Sequence, residues 1–274
     1  MIGISYHAGG LQDLPLENVI KILADTGYDA IEMMCGPDAH IDSNTVTNKH
    51  VQQVKKIVDD HNLAVSVVNP YRGGGLYQLA LENQQKAVDH YAKLQDVATE
   101  LGGGGVNFLT GYGGDNGDPF AWKLLIDVLI PICKRAESLD ITMNIHNHEA
   151  TTIDAPDKVT LLIQHVESTN LRLLNDITNF YHLGSDIAEV TSRLAPITTH
   201  CHVKGVKGMY PYSTFLIPGE KDDELDFHTF AATLGESGYN KYISVETFSH
   251  MRKEKVEIAY NMMADVLKNL GLRN

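Results

Sequence analysis

The sequence has few cysteines, no long apolar run and a deficit of positive charge. Its three cysteines, Cys35, Cys133 and Cys201, cannot all pair with one another, and none belongs to a CxxC motif. They are expected to be reduced thiols in a cytoplasmic protein. No stretch of about 18 apolar residues occurs, so no membrane-spanning helix is expected. The segment MIGISYHAGG lacks the basic and apolar parts of a signal peptide.

Acidic residues outnumber basic ones, with 35 Asp and Glu against 22 Lys and Arg, which gives a formal net charge of −13. Such a surface repels phosphate backbones, so no nucleic-acid partner is expected. A small anionic substrate stays compatible with this charge, because it needs only a local basic group. Hydrophobic residues make up 43% of the chain, which is enough for a large core. No Pro-, Gly- and Ser-rich linker divides the sequence, which predicts one domain over residues 1–274.

Short apolar runs alternate with longer amphipathic runs along the whole chain. The apolar runs predict eight strands, at Ile2–His7, Tyr28–Met34, Leu63–Asn69, Gly105–Leu109, Asp140–His146, Leu171–Asp176, Thr198–Lys204 and Tyr242–Thr247. The amphipathic runs predict helices near 16–26, 47–61, 79–101, 119–138, 156–167, 185–194, 226–237 and 253–270.

This alternation is typical of either a closed barrel or a doubly wound open sheet. Eight strand–helix units, and the absence of a GxGxxG turn after the first strand, favour a (β/α)8 TIM barrel. The glycine run 102–105 precedes a strand rather than a helix, so it predicts a helix-to-strand turn and not a phosphate loop. The irregular stretch 205–225 is expected to form a lid over the barrel mouth.

Six of the predicted strands end in titratable residues, and the carboxyl ends of barrel strands form the active site. These residues are His7, Glu32, His146 to Glu149, Asp176, His200 to Lys204, and Glu246. Alternate residues share a strand face, so His200, His202 and Lys204 point one way and Cys201 the other. Carboxylates gathered at one point repel one another unless a cation lies between them, and imidazoles among them suit Mn²⁺, Zn²⁺, Co²⁺ or Fe²⁺.

Each of these residues also has a plain structural interpretation. A single histidine in a strand is more often a hydrogen-bonded core residue than a ligand, and a lone HxH pattern is weak. Glu32 could cap a helix or pair with a lysine. Cys201 is interpreted as packing between barrel and helices. Two HxH patterns, Asp176 and Glu246 together favour a metal site.

Five segments at strands 2, 5, 6, 7 and 8 resemble the sugar isomerase/epimerase superfamily, which has the xylose isomerase-like barrel. They are TGYDAIEMM, ITMNIHNHEA, LLNDITNFYHLGSD, ITTHCHVKG and YISVETF. The superfamily includes ketose 3-epimerases, hydroxypyruvate isomerase, inosose dehydratase, dehydroshikimate dehydratase and, more distantly, endonuclease IV. The resemblance covers essentially the whole chain, and the order and spacing of the segments carry it.

The resemblance implies one divalent metal ion, held by carboxylates and a histidine on strands 5 to 8. Asp176, His202 and Glu246 match three of the ligand positions, and His146 stands where many members have glutamate. Mn²⁺ is the expected ion, with Zn²⁺, Co²⁺, Mg²⁺ or Fe²⁺ as alternatives. A histidine can bind metal but cannot act as the carboxylate base of two-base epimerisation, which disfavours 3-epimerase activity. It also makes the metal and its four ligands nearly neutral in total, whereas a third carboxylate would leave them with a charge of −1. The less neutralised metal is a stronger Lewis acid.

The expected reaction is isomerisation or epimerisation of a sugar or sugar phosphate. Polarisation of a carbonyl by the metal acidifies the neighbouring C–H, and Glu246, or alternatively Glu149, removes the proton. Lys204 stabilises the enediolate oxygen. His7, Glu32, His148 and Asn179 are expected to orient the hydroxyl groups of a small polyhydroxylated substrate. Loss of a β-hydroxyl would instead give dehydration of an inosose- or dehydroshikimate-like substrate.

Several alternatives stay open at the level of sequence. Arg72 could hold a substrate phosphate or carboxylate, or pair with a surface acid. A non-catalytic sugar-binding barrel is one alternative function. A metal-dependent phosphodiesterase is another, but the net charge of −13 argues against it. Related barrels form dimers or tetramers, so a homo-oligomer is a further expectation.

Overall fold

Within the described residues, eight parallel strands close into one barrel, which confirms the predicted (β/α)8 fold. The computed structural model describes residues 1–70, 75–111, 118–247 and 253–274. The barrel strands are β1 (Gly3–His7), β2 (Ala30–Cys35), β3 (Ala64–Pro70), β4 (Gly105–Leu109), β5 (Thr142–His146), β6 (Leu171–Asp176), β7 (Thr198–Val203) and β10 (Tyr242–Val245). Each strand pairs with the one before it, and β10 pairs with both β7 and β1 to close the barrel.

Helices follow the strands and cover the outside of the barrel. Their bounds are α1 (Leu16–Thr26), α2 (Asn48–Asp60), α3 (Leu76–Glu82), α4 (Gln84–Leu101), α5 (Pro119–Ser138), α6 (Pro156–Val166), α7 (Ile177–His182), α8 (Ile187–Leu194), α9 (Phe227–Glu236) and α10 (Lys253–Asn269). Short 3-10 helices occupy Ala8–Leu11 and Ala195–Ile197. Within the described residues, no helix is long and apolar enough to cross a membrane.

The predicted helix near 79–101 is two helices, because the chain breaks at Asn83. The Asn83 backbone is extended, and its side-chain oxygen accepts a hydrogen bond from the Lys86 N–H, which begins α4. Ala87, Tyr91, Leu94, Ala98 and Leu101 are buried, as their spacing of three and four predicts. The helix ends at Gly102, whose φ of +73° is in the left-handed region that favours glycine. The run 102–105 is therefore a helix-to-strand turn.

The stretch 205–225, predicted to be irregular, contains an antiparallel hairpin. Strands β8 (Gly205–Lys207) and β9 (Thr214–Leu216) pair directly after β7. Asp223 holds the base of the hairpin, where its Oδ1 accepts a hydrogen bond from the Val206 N–H and its Oδ2 accepts one from the Gly219 N–H. Three-residue strands are too short for a pattern of alternating hydrophobicity to reveal them.

Candidate metal centre

The four predicted ligands meet at the carboxyl ends of four neighbouring strands. One ligand atom from each of His146, Asp176, His202 and Glu246 lies within 4.8 Å of the others. β5, β6 and β7 end at or near the first three, and Glu246 directly follows β10. The strand order β5-β6-β7-β10 makes these four strands consecutive around the barrel. Residues separated by 100 positions of sequence therefore share one point above the core.

The amide of Asn147 clamps the ends of β5 and β6 together. Its Nδ2 donates to the Asp176 carbonyl at 2.9 Å, and its Oδ1 accepts from the Asp176 N–H at 2.9 Å. Asp176 Oδ1 in turn accepts from the Asn179 N–H at 3.1 Å, which begins the short helix α7. The other carboxylate oxygen, Oδ2, lies 3.2 Å from His146 Nε2. Only Oδ2 of Asp176 is thus directed at the cluster.

Glu32 lies beneath the cluster, not at the surface that a substrate would meet. Its side chain is fully buried, and its Oε2 accepts from His200 Nε2 at 2.9 Å and from His202 Nε2 at 2.8 Å. Oε1 accepts from Asn107 Nδ2 at 2.9 Å. The expectation that Glu32 orients substrate hydroxyls is therefore replaced by a role in holding His202. Depth along the barrel, which sequence parity does not define, decides this difference.

The position of Glu32 directs one nitrogen of His202 toward the cluster. Since Nε2 donates to Glu32, Nδ1 is the nitrogen on the side of Glu246, at 3.5 Å from its Oε2. Nδ1 is buried and has no hydrogen-bond partner. Burial alone would lower the pKa of His202, but the charges of Glu32 and Glu246 raise it to about 10. Without a bound ion, both ring nitrogens of His202 are therefore protonated at neutral pH and the imidazole is positively charged.

The other three members of the cluster have protonation states in which they can donate an electron pair to a metal ion. Burial is the main reason that the pKa of His146 falls to about 4, so this imidazole is neutral at pH 7. Burial disfavours ionisation of Asp176 and Glu246, yet the ammonium of Lys204 beside them lowers the pKa of both carboxyls. Glu246 has a side-chain exposure of 17%, whereas Asp176 and His202 have none. Of the two carboxylates, Glu246 is thus the one that is accessible from the mouth of the barrel.

Lys204 lies inside the cluster, as its predicted face requires. Its Nζ donates to Asp176 Oδ2 and, at 2.5 Å, to Glu246 Oε2. The side chain is 2% exposed, and Nζ lies 5.3 Å from the centre of the Phe215 ring. Burial opposes the charge on this ammonium, but the two carboxylates raise the pKa of Lys204 above its ordinary value. Lys204 is charged, and both of its anionic contacts are candidate metal ligands.

His7 lies at the edge of the same cluster. Its Nε2 is 2.7 Å from Asn69 Nδ2, 3.9 Å from Glu32 Oε1 and 4.0 Å from Glu246 Oε1. Burial lowers the pKa of His7, more than the neighbouring carboxylates raise it. His7 is therefore neutral and lies 4.0 Å from Glu246 Oε1, and its role near substrate stays a prediction.

His148 and Glu149 form a second group beside the cluster, together with His182, which sequence reasoning missed. His148 Nδ1 lies 2.9 Å from Glu149 Oε2, and His182 Nε2 lies 3.6 Å from the same oxygen. Burial opposes the charge of Glu149, but the two imidazoles lower its pKa. The rings of His146 and His148 are 5.7 Å apart, so this group adjoins the candidate ligands. His182 lies on α7, a six-residue helix that is too short for hydrophobic periodicity to reveal it.

Two further predicted substrate contacts have different outcomes. Asn179 is fully buried, and its Nδ2 donates to the Asn147 carbonyl at 2.8 Å. Its Oδ1 has no hydrogen-bond partner, so one polar atom is left for a ligand. Arg72 lies outside the described residues.

The hairpin is anchored beside the cluster through α7. His182 Nδ1 lies 2.9 Å from Ser213 Oγ, and the Tyr210 N–H donates to the His182 carbonyl at 3.0 Å. Phe215 packs between Lys204 and His182, since its ring centre lies 5.3 Å from Nζ and 5.2 Å from the His182 ring. A hairpin that covers Lys204 agrees with the predicted lid over the mouth.

The donor set fits a divalent cation. Metal–ligand bonds of about 2.0–2.2 Å place ligand atoms about 3–4.4 Å apart, which the cluster spacing approaches. Two imidazoles and two carboxylates suit Mn²⁺, Fe²⁺, Co²⁺ and Zn²⁺. A second group of close donors, Glu32, His200 and His202, is not an equivalent site, because its atoms already satisfy one another by hydrogen bonds.

A family profile described as xylose isomerase-like TIM barrel matches residues 20–267. The chain belongs to this family. The resemblance carried by the strand-end segments is thereby confirmed.

Two relatives are enzymes that act on sugar-like compounds. Fructoselysine 3-epimerase from Escherichia coli O157:H7 is 22% identical over 244 residues, which cover 86% of this chain and 87% of the relative. Inosose dehydratase from Clostridium beijerinckii is 24% identical over 140 residues, which cover 46% of each chain. The longer match is thus to an epimerase.

Two solved structures with the same fold contain a metal ion. The IOLI protein with a bound zinc atom matches with a TM-score of 0.79 and 16% identity, over 98% of this chain and 99% of that one. A xylose isomerase-like TIM barrel protein from Mycobacterium smegmatis in complex with magnesium has a TM-score of 0.79 and 18% identity, over 98% of both chains. Both similarities concern the fold.

Proposed function

We propose that this member of the family is a divalent-metal-dependent isomerase or epimerase of a sugar or sugar phosphate. The observation that carries the proposal is the meeting of His146, Asp176, His202 and Glu246 within 4.8 Å, with Glu246 facing the mouth. The similarity to fructoselysine 3-epimerase, and the metal in two structural relatives, support it. Mn²⁺ is the ion that we propose, since it accepts both carboxylate and imidazole ligands.

The bound cation supplies Lewis-acid polarisation of a substrate carbonyl, which acidifies the neighbouring C–H. Glu246 is the proposed base, and its two oxygens have different roles, one toward the cluster and one in proton transfer. Oε2 faces His202 and Lys204, whereas Oε1 is 4.0 Å from His7 and lies away from the centre of the cluster. Oε1 can therefore take the proton from one carbon and return it to the adjacent carbon, while the substrate hydroxyl proton passes to the former carbonyl oxygen through the Lys204 ammonium, which completes a one-base isomerisation.

Lys204 and the residues around the cluster complete the proposed chemistry. Lys204 carries protons that can hydrogen-bond the oxygen where negative charge develops. Phe215 restricts the access of water to that oxygen, because its ring covers Nζ. His148, held by Glu149, is placed to orient substrate hydroxyls, together with His7 and the Oδ1 of Asn179.

His146 makes a one-base reaction the favoured version of this chemistry. Two-base epimerisation needs proton acceptors on both faces of the substrate, and the strand-5 position has no carboxylate to offer. Glu149 is the nearest other carboxylate on that segment, but it is engaged by His148 and His182. Isomerisation is therefore our first candidate. Dehydration is the second, which the partial similarity to inosose dehydratase favours.

A screen by NMR in D₂O tests the proposal. Ketoses, ketose phosphates, inososes and dehydroshikimate are incubated with the Mn²⁺-loaded protein, which is removed before spectra are recorded. Deuterium next to the carbonyl is the expected result, and the product distinguishes an aldose, an epimer or a dehydrated compound. Absence of both exchange and bound metal after growth in metal-supplemented medium would favour a non-catalytic binding barrel.

The variant Glu246→Gln tests the base. Removing a general base costs about 10²–10⁴-fold in rate, and this variant also loses a charged ligand, so we expect turnover and exchange to be nearly abolished and metal binding to be weakened. Glu149→Gln tests the alternative base, and we expect it to keep more of the exchange than Glu246→Gln, because Glu149 acts only through His148. If Glu246→Gln exchanges deuterium normally and Glu149→Gln does not, the two roles are reversed.

A further inference from the structure

The candidate metal cluster already contains a positive charge that belongs to the chain. Lys204 Nζ contacts Asp176 Oδ2 and Glu246 Oε2, the two anionic members of the four-residue cluster. Asp176 Oδ2 is also the oxygen nearest to His146 Nε2, and Glu246 Oε2 is the one nearest to His202 Nδ1. The ammonium thus engages the same two oxygens that face both imidazoles.

Two close carboxylates in a site this dry require a cation. Asp176 has no exposed side-chain surface, and Glu246 has 17%, so little water is available to screen their repulsion. An unpaired buried charge is strongly destabilising, whereas a charge paired with good hydrogen bonds is tolerated. Lys204 meets this requirement without any metal, since its own side chain is 2% exposed and reaches both carboxylates.

The same contacts oppose metal binding. A divalent ion would bind Asp176 Oδ2 and Glu246 Oε2, and the ammonium already uses one of the two lone pairs on each of these oxygens. A second positive charge at that distance also repels the ion, and the low dielectric of the interior strengthens that repulsion. Metal and ammonium therefore compete for these two oxygens.

We propose that Lys204 is a tethered cation that neutralises the carboxylate pair in the metal-free protein and competes with the divalent ion for it. This inference rests on the metal site of the proposed function. Lys204 keeps the metal-free site folded, lowers the affinity for metal and releases its two contacts when metal binds. The released ammonium then has protons available for the substrate oxygen at the same site.

The variant Lys204→Met tests the competition, because methionine fills similar space without the charge. Mn²⁺ affinity is measured by calorimetry on protein stripped with a chelator, and melting temperatures are measured with and without Mn²⁺. We expect Lys204→Met to bind Mn²⁺ at least about tenfold more tightly than the wild type. Its metal-free form melts at a lower temperature than the metal-free wild type, and Mn²⁺ restores the melting temperature. Lys207→Met is the control, because Lys207, three residues further along in β8, is 55% exposed and pairs with Asp222.

The outcomes separate this inference from the metal site itself. Equal or weaker Mn²⁺ affinity in Lys204→Met overturns the competition and leaves the metal site intact. Absence of Mn²⁺ binding in both the wild type and the variant overturns both.

A measurement on the wild type covers the case in which Lys204→Met does not fold. The ¹⁵N–¹H signal of the Lys204 ammonium is assigned by its loss in Lys204→Arg, and Zn²⁺ is added as a diamagnetic ion. A buried ammonium held by two carboxylates gives a slowly exchanging signal, which we expect to shift or disappear on Zn²⁺ binding. An unchanged signal in the zinc-saturated protein overturns the proposal.

Discussion

The imidazole of His202 lies between two carboxylates, with Glu32 beneath it and Glu246 toward the barrel mouth. The hydrogen bond to Glu32 fixes which nitrogen faces the cluster. Buried carboxylates that accept from a ligating histidine usually increase metal affinity 10–100-fold by this orientation. The same negative charges, however, hold a proton on His202 in the metal-free protein, so pH and metal binding are linked.

We expect metal affinity to rise with pH. The pKa of His202 is raised to about 10, so at neutral pH metal binding must displace a proton from it. Displacement of one proton makes the apparent affinity increase about tenfold per pH unit below that pKa. Mn²⁺ titrations at pH 6, 7 and 8 check this slope, and an affinity that is flat over this range would contradict the assignment of His202 as ligand.

Replacing Glu32 by Gln changes the shape of this pH dependence. The variant keeps the size of the side chain but removes one of the two charges that raise the pKa of His202. The affinity should therefore level off at a lower pH than in the wild type. At high pH, where neither protein has to displace this proton, the variant should bind about 10–100-fold more weakly than the wild type, because the imidazole is less firmly oriented. Glu149→Gln, measured in parallel, keeps the wild-type slope.

Sequence parity correctly predicted which side chains point into the barrel, but not how deep each lies. His146, Asp176, His202 and Glu246 come together as expected, because each stands at the carboxyl end of its strand. Glu32 is instead fully buried against His200 and His202, and its depth depends on the stagger between neighbouring strands, which one sequence does not reveal. The Asn147 clamp and His182 were also missed, since their partners are brought close only by the tertiary fold.

At the level of elements, the hairpin β8–β9 and helix α7 act as one unit over the cluster. Ser213 and Tyr210 attach the hairpin to His182, and Phe215 covers Lys204. In contrast, Tyr212 at the tip is 90% exposed. The hairpin therefore has a face toward the site and a face toward solvent.

Truncation of Phe215 to Ala should expose Lys204 to solvent, together with the substrate oxygen to which Lys204 is proposed to donate a hydrogen bond. We expect KM to rise several-fold and kcat to fall, because water enters the site. Mn²⁺ affinity should change little, since Phe215 supplies no ligand. Steady-state kinetics and calorimetry measure the two effects. Tyr212→Ala, on the solvent face of the same hairpin, serves as the control and retains wild-type kinetics.

Elements with long periodic patterns were predicted to within about two residues, and the shorter ones were not. All the barrel strands, and helices such as α5, follow from runs that bury a continuous apolar face. The break at Asn83, the six residues of α7 and the three-residue hairpin strands lie below the length at which periodicity is informative. Local capping by Asn83 and Asp176 was the available signal for the first two.

On the scale of the whole molecule, the chain end secures the closure between β1 and β10. The Ile2 N–H donates to the Leu272 carbonyl, and Arg273 binds the Asp29 carboxylate and contacts Tyr260. Asp29 Oδ2 also accepts from the Ile4 N–H at 2.7 Å. The first strand and the last helix are therefore linked at the bottom of the barrel, on the side opposite the candidate metal centre.

Arg273→Gln should lower stability without affecting the active site. Asp29 is 38% exposed, so solvent screens part of the pairing, and we expect a loss of about 1 kcal/mol, or about 2–4 °C in Tm. Differential scanning calorimetry measures the change. Arg193→Gln removes a more exposed pair with Asp157 and should shift Tm by less. Equal shifts would contradict a special role for the chain end.

The clamp between Asn147 and Asp176 has a consequence for divergence within such barrels. Because one amide fixes both strand ends, two of the four positions of the cluster stay in register whatever follows them in the chain. Segments beyond α7 can then change length and composition, and hence the molecule that they admit, while the candidate ligand atoms keep their geometry.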